Sequence, residues 1–258
     1  MLERRVLAHG MAALVSLRLE SAGFLAAFSE RDGGISEGPF QSLNLGLRSG
    51  DRVDSVSGNR RRLCEALGVP PFACGRQAHG SRLARVGRRS AGAGFDDPAF
   101  AFPRTDALTT AERGIPLAVL AADCVPVALA DPVAGRVAVV HAGWRGIAGG
   151  VIASALRAFP EPRRVLAAIG PAIGPDHYEV GDDVARAVGA STPGGAVLSG
   201  RGTRRLLDLP ATAARVLRGS GVRHVEACDA CTACNPDRFY SYRRDGVTGR
   251  QGLVAMRL

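Results

Sequence analysis

Three apolar runs near the middle of the chain constrain its fold more than any other feature. They lie at residues 116–122, 125–130 and 136–140 and are separated by turn-forming residues. Their lengths and flanking breakers are typical of buried strands. Because Pro132 and Gly135 favour a turn between the second and third runs, we expect neighbouring strands at the centre of the fold.

Helical segments surround this centre. After Gly146 the apolar residues recur at helical spacing, and three further segments predict helices, at residues 59–67, 178–188 and 209–217. Shorter apolar runs predict strands at residues 81–86, 165–169, 222–227 and 253–257. No internal repeat or linker divides the chain. We therefore predict a mixed α/β (α+β) fold in one domain over residues 1–258, with residues 1–20 as a loosely ordered extension.

The composition is that of a globular protein, with 46% hydrophobic and 22% charged residues. The longest apolar stretches, such as residues 115–122, are far shorter than the roughly 20 residues that span a bilayer. No export signal is recognisable at the N-terminus. We expect a cytoplasmic protein without membrane contact, in which thiols stay reduced.

The net charge of +9 raises the question of nucleic acid as a partner. All 33 basic residues are arginines, and they are spread along the chain with only short clusters, such as residues 60–62 and 88–89. Complete replacement of lysine is more typical of a genome-wide composition bias than of a polyanion site. A phosphate-bearing small substrate explains the same charge, so we predict no nucleic-acid binding.

Three residues that can bind metal lie at strand ends among small residues. His79 stands in Gln-Ala-His-Gly, Cys124 follows a predicted strand, and His141 ends the strand before Gly143. An isolated His or Cys in such a place is more often structural than functional. Yet His, Cys and His together are a good zinc set that leaves a fourth position open, as catalytic sites require. Spacing alone leaves both interpretations open.

A second group of cysteines lies near the C-terminus. Cys228, Cys231 and Cys234 form two overlapping CxxC units, with His224 nearby as a fourth ligand. A closed structural zinc site needs four ligands, and no second CxxC pair is present elsewhere. Structural or redox-sensitive thiols are therefore the favoured interpretation.

Several arginines are placed where an anion could bind. Arg145 lies next to His141, and its planar guanidinium suits phosphate or carboxylate. Residues 241–246 carry two adjacent arginines and are followed by Thr-Gly-Arg-Gln at residues 248–251. These segments fit a solvated hairpin equally well.

Several of these segments, in this order, resemble the YfiH-type family, whose members are variously labelled laccase-domain, polyphenol oxidase-like or peptidoglycan-editing-factor proteins. The resemblance is strongest at Asp-Cys-Val-Pro-Val and His-Ala-Gly-Trp-Arg-Gly, residues 123–127 and 141–146. Further motifs lie at residues 28–36, 42–46, 59–60, 77–80, 105–108, 169–174, 178–180 and 239–251. One departure is Glu30, since family members usually have Thr or Ser before the arginine of this loop.

The resemblance implies a YfiH-like α/β fold and a zinc ion held by His79, Cys124 and His141. It also implies purine nucleoside phosphorylase activity on adenosine, inosine and methylthioadenosine with inorganic phosphate, together with adenosine deaminase activity. For these reactions the candidate acid/base residues are Asp123 and Glu179. The candidate substrate-binding residues are Arg31, Asn44, Arg60 and Arg145.

Other chemistries are weighed against this one. Five histidines are too few for the ligands of a four-copper laccase, and the three methionines lie near the termini, away from a blue-copper ligand set. Zinc is therefore the expected metal, with copper only as an adventitious ion. The alternatives are a metal-free cysteine hydrolase with Cys124 as nucleophile and His141 or His79 as base, a peptidoglycan-editing factor acting on cell-wall precursors, and a non-enzymatic interaction module that acts on cell-wall or metabolic enzymes.

Overall fold

The computed structural model describes residues 2–199 and 205–258. Within them the strands are β1 Leu2–Val6, β2 Ala12–Ser16, β3 Phe24–Ser29, β4 Ala73–Arg76, β5 Leu83–Arg85, β6 Phe102–Pro103, β7 Ala107–Thr110, β8 Leu117–Ala121, β9 Val125–Asp131, β10 Arg136–Ala142, β11 Leu166–Ile169, β12 Glu179–Val180, β13 Leu198–Ser199, β14 Arg205–Leu207, β15 His224–Ala227 and β16 Gln251–Arg257. The α-helices are α1 Leu17–Ser21, α2 Val53–Leu67, α3 Trp144–Ala148, α4 Val151–Leu156, α5 Asp182–Ala190, α6 Leu209–Gly219 and α7 Tyr242–Asp245.

Two large sheets form the body of the molecule. The first has the strand order β1-β2-β3-β16-β8-β4-β6, and the second has the order β15-β11-β9-β10-β7-β5. A small third sheet, β12-β14-β13, lies outside them. The three central apolar runs are confirmed as β8, β9 and β10, and β9 and β10 pair as antiparallel neighbours from Arg136 opposite Asp131 to Ala142 opposite Val125.

The two large sheets pack face to face because successive side chains in a strand point to opposite sides. One apolar cluster contains Phe28 and Val119 from the first sheet together with Ala128 and Val139 from the second. This shared cluster is the core between the sheets. Each apolar residue removed from water there contributes on the order of 25 cal/mol per Å² of buried surface.

Helices cover the outer faces of both sheets. The outward residues Val127 and Val140 of the second sheet pack with α4 and α6. On the first sheet, Val254 packs with Leu63 of α2. The result is a mixed α/β fold in one domain, as predicted. None of the helices in the described part of the chain is long and apolar enough to cross a membrane.

Several helix boundaries differ from the prediction, and the helical segment expected after Gly146 forms two helices, α3 and α4. Helix α2 begins at Val53 rather than at residue 59, and its extra first turns bury Val56 on the same side as Leu63. Residues 178–180 are not helical: they end a short 3-10 turn and form β12, so α5 begins only at Asp182. Apolar periodicity alone does not distinguish these local alternatives.

The prediction of a loosely ordered extension over residues 1–20 is wrong. Strand β1 pairs with β2, which in turn pairs with β3. All five residues of β2 are buried, including Ala13 and Val15. Burial of this strand against the first sheet orders the segment.

Glu30 fastens this N-terminal part to the rest of the chain. Its side chain is only 1% exposed and binds Arg4 at 2.9 Å and Arg238 at 2.5 Å. Burial opposes ionisation of Glu30, but the two guanidinium groups outweigh it and lower the pKa of the carboxyl. Glu30, which departs from the Thr or Ser usual in the family motif, therefore forms an ion-pair cluster that links β1 to the segment before Phe239.

Replacing Glu30 by Gln removes the charge and keeps the shape. We expect Glu30→Gln to lower the free energy of unfolding at neutral pH by about 1.5–3 kcal/mol, as for hydrogen bonds between charged groups. Glu20→Gln, which breaks a more exposed pair with Arg5, is the control and should cost less than about 1 kcal/mol. Urea unfolding measures both.

The pH dependence gives the Glu30 experiment a second readout. Because folding lowers the pKa of Glu30, its stabilisation is complete above the unfolded value of about 4.3 and is lost as the pH falls through the folded pKa. A stability difference between wild type and Glu30→Gln that persists in strong acid would contradict this assignment.

Candidate functional site

The structure brings His79, Cys124 and His141 together. One ligand atom from each lies within 4.8 Å of the others. The two imidazole rings meet edge to face, with centroids 4.9 Å apart and planes at 75°. His141 is buried, Cys124 is half-buried and His79 is exposed, so the group faces solvent from one side.

The fold explains why residues so far apart in sequence meet here. His79 lies between β4 of the first sheet and β5 of the second, and Cys124 lies between β8 and β9, which also belong to different sheets. Both are therefore on segments that cross from one sheet to the other. His141 is the penultimate residue of β10 and pairs with Pro126, just after Cys124.

The close approach requires a glycine at position 143. A Cβ atom there would lie 2.8 Å from the Cys124 sulfur and 3.1 Å from His79 Cδ2. Both distances are too short for an ordinary side chain. Gly143 thus leaves room for the thiol and the imidazole to share one side of the site.

A buried carboxylate orients the His141 ring and holds the backbone at His79. Asp106 accepts hydrogen bonds from the backbone N–H groups of His79 at 2.9 Å and Gly80 at 2.9 Å. Its Oδ1 also lies 2.9 Å from His141 Nδ1. This contact leaves His141 Nε2 as the ring nitrogen available to a metal, as in the carboxylate–histidine pairs that orient metal ligands.

The local charges favour a thiolate at Cys124. Burial raises the pKa of the thiol, but His141 and His79 outweigh this effect and lower the pKa to about 6. For His141, burial lowers the pKa, while Cys124 and Asp106 outweigh it in the opposite direction and raise the pKa. A thiolate is the form of cysteine that binds a metal or attacks an electrophile.

The three residues line a cavity of about 550 Å³. Its wall is strongly basic: six arginines line it, and Asp123 is the one acidic lining residue in the described part of the chain. The arginines are Arg48, Arg60, Arg76, Arg145, Arg243 and Arg250. Three aromatic side chains, Trp144, Tyr178 and Tyr242, complete a surface on which a flat heterocycle can stack.

Three further residues predicted from the sequence line the same cavity. Asp123 has a left-handed backbone conformation with φ 92°, and its carboxylate accepts bonds from Thr232 Oγ1 at 2.6 Å and Arg243 N at 2.6 Å. The guanidinium of Arg145 stacks on the Trp144 ring at 4.4 Å and makes no hydrogen bond to the described residues. Arg60 is buried, with Nε and Nη1 bound to backbone carbonyls, including Leu45 O at 2.8 Å.

The other three predicted residues do not line the cavity. Glu179 is an exposed residue of β12 whose carbonyl oxygen accepts a bond from Arg243 Nη1. Asn44 is fully buried and holds its own loop together, with its side-chain oxygen accepting from Gly46 N and Arg250 N. Arg31 stacks on Tyr240 and binds the carbonyl of Pro236.

The sequence predicted no role for Asp106, and it left Arg243 and Arg250 open between an anion site and a solvated hairpin, yet the structure brings all three to the site. Asp106, Arg243 and Arg250 all lie within motifs that carried the family resemblance. Tyr178 likewise begins one of these motifs and lines the cavity. A polar residue inside a recognisable motif was the available signal, but spacing does not reveal which side of a strand or loop it occupies.

Comparison with known proteins identifies the family. The family described as "Multi-copper polyphenol oxidoreductase laccase" matches residues 25–257. The chain belongs to this family. It is 40% identical over 242 residues to "Purine nucleoside phosphorylase YlmD" of Geobacillus stearothermophilus, covering 89% of this chain and 88% of the relative. It is 42% identical over 229 residues to "Purine nucleoside phosphorylase SCO2081" of Streptomyces coelicolor, covering 86% and 91%.

Solved structures agree with this assignment. The crystal structure of the hypothetical protein YfiH from Bacillus licheniformis superposes with a TM-score of 0.91 at 32% identity and covers 98% of both chains. The structure of YlmD from Geobacillus stearothermophilus gives a TM-score of 0.88 at 38% identity and covers 92% of both chains. The resemblance to YfiH-type proteins is confirmed, and so is the mixed α/β fold.

The role of Gly143 in this laccase-like family member is open to a direct test. We expect Gly143→Ala to displace the Cys124 thiol and to weaken binding of a divalent metal by about 10-fold or more, as when support for a ligand is lost. Competition with a chromophoric chelator measures the affinity. Gly80→Ala is the control, because its Cβ would meet only Asp106, at an ordinary 3.7 Å. Equal affinities of the two variants would contradict the proposed close approach.

Proposed function

We propose that this chain is a zinc-dependent purine nucleoside phosphorylase acting on adenosine, inosine and methylthioadenosine, with adenosine deaminase activity at the same centre. The observation that carries the proposal is one cavity that combines His79, Cys124 and His141 with an arginine-rich wall. The activity named for the relatives supports it.

Zinc fits the residues present. One thiolate and two imidazoles are ligands that Zn²⁺ prefers, and three protein ligands leave a position open. A blue-copper centre would also need a weak axial ligand such as Met, but Met11 and Met256 are buried in the cluster beneath α2. When bound, zinc supplies a Lewis acid that can polarise a substrate group in the cavity.

Phosphorolysis makes a bond between a phosphate oxygen and C1′ of the ribose and breaks the bond from C1′ to the purine nitrogen. The bonding electron pair leaves with the base, which then gains a proton. Arg145 is the best placed of the three predicted phosphate ligands, because its guanidinium lines the cavity and is not engaged by the described residues. Arg60 supports the wall, and Arg31 lies outside it.

The remaining lining residues suit a purine nucleoside. Trp144, Tyr178 and Tyr242 offer flat apolar surface for the base. Deamination replaces the amino group at C6 by the oxygen of water and releases ammonia, which requires a group that moves protons. Asp123 is in the cavity and Glu179 is not, so we assign this role to Asp123.

Product analysis with adenosine tests the proposal. With phosphate we expect adenine and ribose 1-phosphate, and without phosphate we expect inosine from deamination. Cys124→Ala should lose the zinc ion held at this centre and both products together, whereas Cys228→Ala, outside the cavity, should keep them. Liquid chromatography of the products and elemental analysis of the protein give both readouts.

Two outcomes would replace this proposal with another function. A zinc-free protein that hydrolyses substrates and loses that activity when its thiol is alkylated would indicate a cysteine hydrolase, which the lowered pKa of Cys124 also permits. A zinc-loaded protein that releases no free base from inosine or adenosine in the presence of phosphate would indicate a non-enzymatic role, such as peptidoglycan editing.

Arg145 provides a separate test of the phosphate site. We expect Arg145→Ala to raise KM for phosphate by about 10- to 100-fold, corresponding to ~1.5–3 kcal/mol for hydrogen bonds to a charged group. Arg145→Lys should recover only part of the loss, since an ammonium cannot form the paired bonds of a guanidinium. Arg89→Ala, an exposed arginine outside the cavity, is the control. An unchanged KM for phosphate in Arg145→Ala would refute the assignment.

A further inference from the structure

A second group of metal-binding side chains lies outside the cavity. His177, Cys231 and Cys234 each place one ligand atom within 4.8 Å of the other two. His177 Nε2 and Cys234 Sγ are 3.0 Å apart. None of the three lines the cavity, so the group is distinct from the centre at Cys124.

The fold holds these residues on two segments that run side by side. Cys231 forms a bridge with Ala172, and the Thr232 N–H donates to Ala172 O at 3.0 Å. The Gly174 N–H donates to the Cys231 sulfur at 3.1 Å. The donors are therefore brought together by backbone pairing, in addition to the contact between His177 and Cys234.

The histidine that lies beside Cys231 and Cys234 is His177, and not His224, which the sequence suggested as a ligand. His224 lies on the strand β15 and is not part of the group, and Cys228 instead accepts a bond from the Ala230 N–H. His177 is 57 residues away from Cys234 in sequence. Only the pairing of the two segments brings this imidazole to the CxxC unit.

We propose that His177, Cys231 and Cys234 form a second zinc site. Two thiolates and an imidazole are soft and borderline donors that select Zn²⁺ over hard cations such as Mg²⁺. Tetrahedral zinc with bonds of ~2.3 Å to sulfur places two sulfurs about 3.8 Å apart, a spacing within the limit observed here. The exposure of His177 and Cys234 allows small shifts and leaves a fourth position to solvent.

This site clamps the segments that support Asp123. Thr232 Oγ1, next to Cys231, donates to the Asp123 carboxylate, and the Ile173 N–H donates to Asp123 O at 3.0 Å. Zinc bound to the two cysteines of one segment and to the histidine of the other would tie the segments together. The role we infer is structural, and it does not depend on the reaction proposed for the cavity.

Zinc stoichiometry tests the second site on the full chain. The protein is kept reduced, loaded with zinc and desalted, and zinc per chain is measured by elemental analysis. We expect about two ions in the wild type and about one in Cys234→Ser and in His177→Ala, because each variant lacks a ligand. Cys228→Ser and His224→Ala are matched controls from the same region and should retain about two.

A Cys124→Ser background separates this proposal from the proposed function. There the second site alone should hold about one zinc ion per chain, and further substitution of Cys234 by Ser should remove it. Cobalt loaded in place of zinc should show thiolate-to-metal absorption in Cys124→Ser that disappears in the double variant. Failure of the first site alone would leave this result unchanged.

Two results would overturn the second site. One is equal zinc content in wild type, Cys234→Ser and His177→Ala. The other is a Cys231–Cys234 disulfide, detected by mass spectrometry in protein kept reduced, with no zinc retained in the Cys124→Ser background. Circular dichroism of Cys234→Ser verifies folding, which the exposure of this side chain leads us to expect.

Discussion

The Asp106 carboxylate connects parts of the chain that the two large sheets would otherwise leave independent. The carboxylate accepts hydrogen bonds from backbone N–H groups of the loop around His79 and contacts His141 Nδ1. The backbone carbonyl of Asp106 also accepts a hydrogen bond from the His141 N–H at 2.8 Å. Burying a carboxylate is costly unless hydrogen bonds compensate for lost water. Here burial raises the pKa of Asp106, but the His141 contact and the loop amides outweigh it and keep the pKa low. The same bonds fix the His141 imidazole and the backbone at His79.

The position of the site follows from the way the chain passes between sheets. A crossing segment cannot continue the pairing of either sheet, so its polar groups need other partners. At Asp123, side chain and backbone are held by Thr232, Arg243 and Ile173, which balances the cost of its left-handed conformation. His79, with φ 56°, is held in a similar way through Asp106. Of the four described non-glycine residues with positive φ, two, His79 and Asp123, are thus cavity residues on crossings.

The local parts of this arrangement were predictable from sequence, and the long-range parts were not. The strand runs, the ligand trio and Asp123 follow from apolar spacing and recognisable motifs. Three predicted residues, Asn44, Arg31 and Glu179, do not line the cavity. They are polar residues within motifs, and sequence cannot show whether such a residue faces a ligand or its own backbone. Asn44 serves two backbone N–H groups, one of them 206 residues away. The ordered N-terminus was missed because β2 depends on a sheet whose central strand, β16, is the last in the chain.

The arginines that give the chain its positive charge differ in role: some stabilise loops, and others line the cavity. Arg60, Arg244 and Arg250 each donate to backbone carbonyls, so much of their hydrogen-bonding capacity stabilises loops. Arg48, Arg76 and Arg145 line the cavity without a hydrogen bond from their guanidinium groups to the described residues. A guanidinium is more weakly hydrated than an ammonium, which makes arginine suited to both tasks. The net charge of the chain therefore overstates how well it can bind a polyanion. The small set of arginines around Cys124 whose guanidinium groups make no hydrogen bond to the described residues matches a single phosphate group.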